Sequence, residues 1–136
     1  MAAAPSNLVL RGGTHNPMAP SLSFLQQLAP VFAGQEPVFF DIELLCHGFY
    51  PAGGGHARVC VQPPPQGLAA IHLMERGALK DRYAECLHAG LPKTVAEREL
   101  AVLKEGLGLQ EEQLRNRGLR ANEGPGNALL VVLLHH

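Results

Sequence analysis

Residues 7–13, NLVLRGG, are a short apolar run closed by two glycines, the pattern of a strand that stops at a turn. THNPMAP (14–20) has two prolines and no periodicity, so a loop follows. In SLSFLQQLAPVFAG (21–34), Leu22, Leu25, Leu28 and Phe32 recur at helical spacing. Ser21 or Ser23 supplies a cap for this helix and Gly34 a stop; Pro30 predicts a kink or a carbonyl without its usual partner. VFFDIELLCHGFY (38–50) alternates: Phe39, Asp41, Glu43 and Leu45 share one face, and Phe40, Ile42, Leu44 and Cys46 share the other, which is wholly apolar and predicted to meet the core. HARVCVQ (56–62) alternates as well, and PAGGG joins the two runs into a predicted hairpin. PPPQG (63–67) cannot lie inside a ladder and marks a boundary.

Beyond that break, LAAIHLMERG (68–77) and LKDRYAECLHAGL (79–91) predict two more strands. TVAERELAVLKEGLG (94–108) is the clearest helix: Thr94 as N-cap with Glu97 completing a capping box, a stripe of Ala96, Leu100, Leu103 and Leu107, and Gly108 as its stop. Residues 109–127 are polar and predict irregular structure. ALLVVLLHH (128–136) predicts a final strand, apolar on both sides and central in its sheet, with terminal His135 and His136 in solvent. The order is βαββ, a proline break, then ββαβ, an α+β chain whose last strand leads us to expect more chain after it.

At 136 residues the chain has the length of one ordinary domain, and 46% hydrophobic residues with a mean hydropathy of +0.03 exclude a disordered tail and a membrane protein. The N-terminus has no basic region followed by an apolar one, so no secretory signal is expected. Three cysteines without CxxC spacing indicate reduced thiols and a cytoplasmic setting. A net charge of -1 argues against a broad nucleic-acid footprint, though not against binding one RNA end. DNA and membrane partners are not expected.

The stretch HGFYPAGGG (47–55) carries the most unusual chemistry. Its glycines suit either a phosphate-cradling nest or a hairpin turn packed on a neighbour, with Tyr50 and Pro51 fixing the approach; no helix start follows, which favours the hairpin. Cys46, His47, His56 and Cys60 raise a zinc reading, but adjacent Cys46 and His47 point to opposite faces of a strand, so no metal site is assigned. Glu97, Arg98 and Glu99 form a solvated helix face, and no serine–histidine–carboxylate spacing is present.

LRGGTHNPMAP, HGFYPAGGG, ERG (75–77), VAEREL (95–100) and GPGN (124–127), in this order, resemble the bacterial form of RNA 3′-terminal phosphate cyclase over about residues 7 to 134. The resemblance implies an internal fragment: residues 1–66 from a large catalytic domain of repeated units, and 67–136 from a small α/β insert domain, incomplete at its end. It implies an ATP- and divalent-metal-dependent enzyme of the ligase class. In it a histidine takes AMP, passes it to an RNA 3′-phosphate, and the 2′-hydroxyl closes a 2′,3′-cyclic phosphate. Pro20 matches the family's adenine-packing proline, and Phe24 the position where the family keeps an aromatic; core packing is Phe24's alternative role. The nucleophilic histidine, the Glu-Gly-Gly-Gly-Gln motif and the basic RNA-end site have no counterpart here, so no catalytic residue is assigned. The chain alone is expected to be inactive and to bind no cofactor tightly; its implied partners are the RNA 3′-phosphate end and the rest of the cyclase fold. The alternatives are a non-catalytic cyclase-like protein of ribosome assembly and a fragment that binds protein or RNA, though FYPAGGG and the MAP ending resemble the catalytic branch more.

Overall fold

The computed structural model describes residues 4–33, 39–63, 70 and 72–136. The chain forms two compact units, residues 1–72 and 73–136. Both mix strand and helix, an α+β arrangement.

In the first unit, β1 (Ser6–Gly12), α1 (Leu22–Ala33), β2 (Phe39–Cys46) and β3 (Gly55–Gln62) build a three-stranded antiparallel sheet in the order β1-β3-β2. β2 and β3 form the hairpin that their alternation predicts. Pairing of β1 with β3, Ser6 opposite Val61 through Gly12 opposite Gly55, is a long-range contact that periodicity alone does not specify. The Ser21 hydroxyl accepts the Phe24 N–H at 3.2 Å, which makes Ser21 the cap of α1. The helix continues through Pro30 to Ala33; Gly34 and most of the proline break (64–67) lie outside the described residues. Leu10, Ala57 and Leu44 stand in one row of the register, and α1 covers that face, its Leu22 and Leu25 sharing a groove with Leu10 and Ala57.

One alternation fails at the end of β2. The register shifts between Leu44 and Cys46, and Cys46 stands opposite His56. Leu45 is the extra residue of a bulge, so Cys46 leaves the row of Phe40, Ile42 and Leu44 for the opposite face.

In the second unit, β4 (Leu79–Ala89) is central, with β5 (Leu114–Gly118) parallel on one side and β6 (Gly126–His135) antiparallel on the other. α2 (Lys93–Leu107) packs on β4 and β5, and Ala84, Cys86, Ala96, Leu100 and Leu109 form the buried cluster, with Leu103 and Leu114 against it. The Cys86 thiol donates to Glu99 Oε2 at 3.4 Å, and Asn127 of β6 donates to both Glu99 oxygens at 2.8 and 2.7 Å.

Several expectations are corrected here. Residues 72–78 form no strand; Gly77 has φ 74°, and its carbonyl lies 3.1 Å from His135 Nδ1. The His136 N–H donates to Ala78 O at 3.1 Å, so the two last histidines are tied back rather than simply solvated. α2 starts one residue earlier than expected, with Pro92 at the N-cap, and no side chain caps it. The Pro92 carbonyl accepts the Val95 N–H at 3.0 Å, which leaves Thr94 inside the helix, and Glu97 pairs with Lys93 at 3.4 Å instead of closing a capping box. Leu107 is 40% exposed; left-handed Gly108 turns the chain and brings Leu109, 2% exposed, into the core in its place. β5 lies in the polar stretch where no strand is expected. Its Arg115 guanidinium covers the Tyr83 ring at 3.6 Å, and Arg117 lies 4.0 Å from Glu85. β6 is an edge strand, not a central one, and Leu129, Val131 and Leu133 are 41–53% exposed. No described helix is long and apolar enough to cross a membrane.

Candidate functional site

The end of β1, the loop after it and the glycine hairpin meet at Thr14. The Thr14 and His15 N–H groups both donate to Gly48 O, at 2.8 and 3.0 Å, and the Gly48 N–H donates to the Thr14 hydroxyl at 2.9 Å. The Thr14 carbonyl accepts the Leu22 N–H at 2.9 Å. One threonine thereby holds the hairpin on one side and the start of α1 on the other.

Three glycine backbones make this junction possible. A Cβ on Gly48 would lie 2.3 Å from Gly55 N and 2.7 Å from Gly12 O. A Cβ on Gly55 would lie 2.4 Å from Thr14 Cγ2 and 2.6 Å from Gly12 O. The strand ends approach more closely than any side chain permits, so the hairpin is packed on a neighbouring backbone. Phe49, 3% exposed, anchors it; Tyr50, expected to fix the approach, is 69% exposed.

His15 lies in the loop that follows β1. It is buried, with Nδ1 2.8 Å from the Thr14 hydroxyl and Nε2 3.0 Å from the Ser23 hydroxyl on the first turn of α1. Its ring lies 5.4 Å from that of His47 and 5.3 Å from that of Phe49. Burial, and then the neighbouring His47, hold its pKa down at about 4. At neutral pH it is an uncharged spacer between loop and helix. A histidine beside a threonine after two glycines is a weak signal, and nothing in the linear pattern indicates that Ser23, eight residues on, is its partner.

Between these anchors the loop carries Pro20 to the lip of a groove of about 200 Å³, walled by Leu10, Leu22, Leu25 and Ala57 and floored by Gly12 and Gly13. Phe24 is 45% exposed and outside the lining of this groove. Arg11 and Thr14 complete the lining, so apolar walls meet polar groups, an arrangement suited to a partly polar ring.

A family model for RNA 3′-terminal phosphate cyclase matches residues 1–129 of the chain. Proteins named RNA 3′-terminal phosphate cyclase are similar to it: one from Pseudomonas fluorescens is 45% identical over 130 residues, which are 96% of this chain and 37% of that protein. One from Koribacter versatilis is 39% identical over 132 residues, 96% of this chain and 37% of its own length. Another, from Ralstonia nicotianae, is 39% identical over 134 residues, 98% and 38% respectively. The chain belongs to the RNA 3′-terminal phosphate cyclase family. It spans little more than a third of the length of these relatives.

Proposed function

We propose that this chain supplies one wall of the nucleotide pocket to an enzyme that converts an RNA 3′-phosphate to a 2′,3′-cyclic phosphate at the expense of ATP. The observation that carries the reading is the position of Pro20 on a largely apolar groove, bordered also by Arg11 and Thr14, beside the Thr14 and His15 anchors. A rigid ring on a purine face costs little entropy, and Leu22 and Leu25 add apolar wall to the same groove. The residues fit a nucleoside base. They do not fit a divalent ion: no group of three or more His, Cys, Asp or Glu is placed to hold one among the described residues. In this reading the ion and the nucleotidyl-accepting histidine come from other parts of the complete enzyme, AMP passes from that histidine to the RNA 3′-phosphate, and the chain's own contribution is to hold and orient the adenine in a cytoplasmic protein.

The test is Pro20→Ala in a complete family enzyme carrying residues 7–62 of this chain. One apolar ring face contributes on the order of 1 kcal/mol, so the ATP concentration needed for half-maximal adenylylation should rise several-fold. An unchanged ATP dependence removes Pro20 from the site. Alone, the 136-residue chain should retain no label from α-labelled ATP after denaturation.

A further inference from the structure

The sheet face turned away from α1 has its own chemistry. Arg11 stands directly opposite His56, and Cys46 stands opposite His56 on the other side. Two residues along, Arg58 occupies the same face, and its charge is matched by Glu43 at 2.7 Å. Arg11 and His56 have no acidic partner among the described residues. Basic groups directly opposite each other in a ladder repel when both are charged, so this pair stands without internal compensation.

Beside it opens a groove of about 580 Å³ lined by Arg11, Gly12, Cys46, Gly54, Gly55 and His56, with no carboxylate in its walls. Close packing, which accounts for Gly48 and Gly55, does not account for Gly54: an added Cβ there would meet nothing within 4 Å. Gly54 has φ 78°, and its N–H has no acceptor among the described residues. An exposed guanidinium, an imidazole and a free backbone donor therefore border one open space.

We propose that this groove is a phosphate site, with Arg11 as the principal charge and His56 and the Gly54 N–H as further donors. A guanidinium offers paired N–H groups to a phosphate, and a turn with left-handed glycines leaves its amides accessible to anions. Arg11 and Gly12 also border the Pro20 groove, but the site rests on its own lining of Cys46, Gly54 and His56 and does not depend on the adenine reading.

The experiment is a titration of the full chain, followed residue by residue by 15N–1H NMR, with sodium phosphate against sodium chloride at equal ionic strength. Saturable shifts at Arg11, Gly54 and His56 are expected, with a Kd on the order of 1 mM. Arg11→Gln should weaken binding about tenfold, and Arg11→Lys should restore part of it. Both changes are at an exposed side chain, so the fold should persist. An RNA oligonucleotide ending in a 3′-phosphate that binds more tightly than its 3′-hydroxyl counterpart identifies an RNA end as the source of the phosphate. Equal affinity for inorganic phosphate and for the oligonucleotide identifies free phosphate. Shifts that follow ionic strength alone, or that persist unchanged in both Arg11→Gln and His56→Gln, overturn the proposal. ATP-induced shifts confined to Leu22 and Leu25 would leave the adenine groove standing while this site fails.

Discussion

Gly48→Ala tests the junction at its tightest point. All three atoms nearest to the new methyl are backbone: Gly55 N at 2.3 Å, Gly12 O at 2.7 Å and Gly55 Cα at 2.7 Å. No rotamer change can relieve those contacts. Either three strand ends separate or Gly48 withdraws. Overpacking of this kind costs about 1–3 kcal/mol, and more where the neighbours are rigid. Withdrawal also stretches three hydrogen bonds of 2.8–3.0 Å between Gly48 and the Thr14–His15 segment, each contributing about 1 kcal/mol. A loss of about 3 kcal/mol or more is expected, a large part of the stability of a unit this size. Gly106→Ala is the opposite case: an added Cβ meets nothing within 4 Å inside α2, and stability should rise by about 0.8 kcal/mol. Urea titration read by backbone NMR reports residues 6–62 and 79–135 separately, which matters because two units need not unfold together. A Gly48→Ala midpoint indistinguishable from that of the parent would refute the close approach of β1, β3 and the hairpin.

His15 predicts a pH dependence. Its folded pKa, about 4, lies below the ordinary 6.5, so the stabilisation is complete above pH 6.5 and is lost as pH falls from there to about 4. The full change is on the order of 3 kcal/mol, and His15→Gln should flatten the stability profile across that window when compared with the parent by thermal melting. Burial, and then the hydrogen bond and charge of Glu99, push the Cys86 thiol up to about 12. Iodoacetamide at pH 8 should therefore spare Cys86 in the folded chain while it alkylates the half-buried Cys46 and Cys60, as peptide mapping would show; early loss of Cys86 would contradict its placement. Thr94→Ala should cost less than about 0.5 kcal/mol, against about 1 kcal/mol for a true N-cap, because no side chain caps α2; chemical denaturation distinguishes the two values.

The periodic parts of the chain were legible because each is governed by neighbours in sequence. α1 and α2 show a 3.6-residue stripe, β2 and β3 an alternation, and Ser21 and Gly108 sit where caps are placed by local hydrogen bonding. β5 was not legible: an edge strand with Arg115 and Arg117 facing Tyr83 and Glu85 needs no apolar alternation, since its partners on β4 supply the contacts. The Leu45 bulge was not legible either, because an extra residue in a ladder is defined only against the partner strand.

For the candidate site, the linear pattern was enough to mark Gly53–Gly55 as unusual, to read Gly12 as the start of a turn and, through family resemblance, to mark Pro20. It could not say what the glycines were for. Close approach depends on pairing β1 with β3, Leu8 opposite Val59 and Gly12 opposite Gly55, and that pairing brings Gly12 and Gly55 together beside Gly48. The same pairing sets Arg11 opposite His56 and brings Arg11 and Gly12 to the border of both grooves. Local propensity acts over a few residues, and so the sequence by itself determined the periodic elements, α1, α2, β2 and β3, and most of their polarity. The site depends on distances between residues remote along the chain, and tertiary pairing alone decided those.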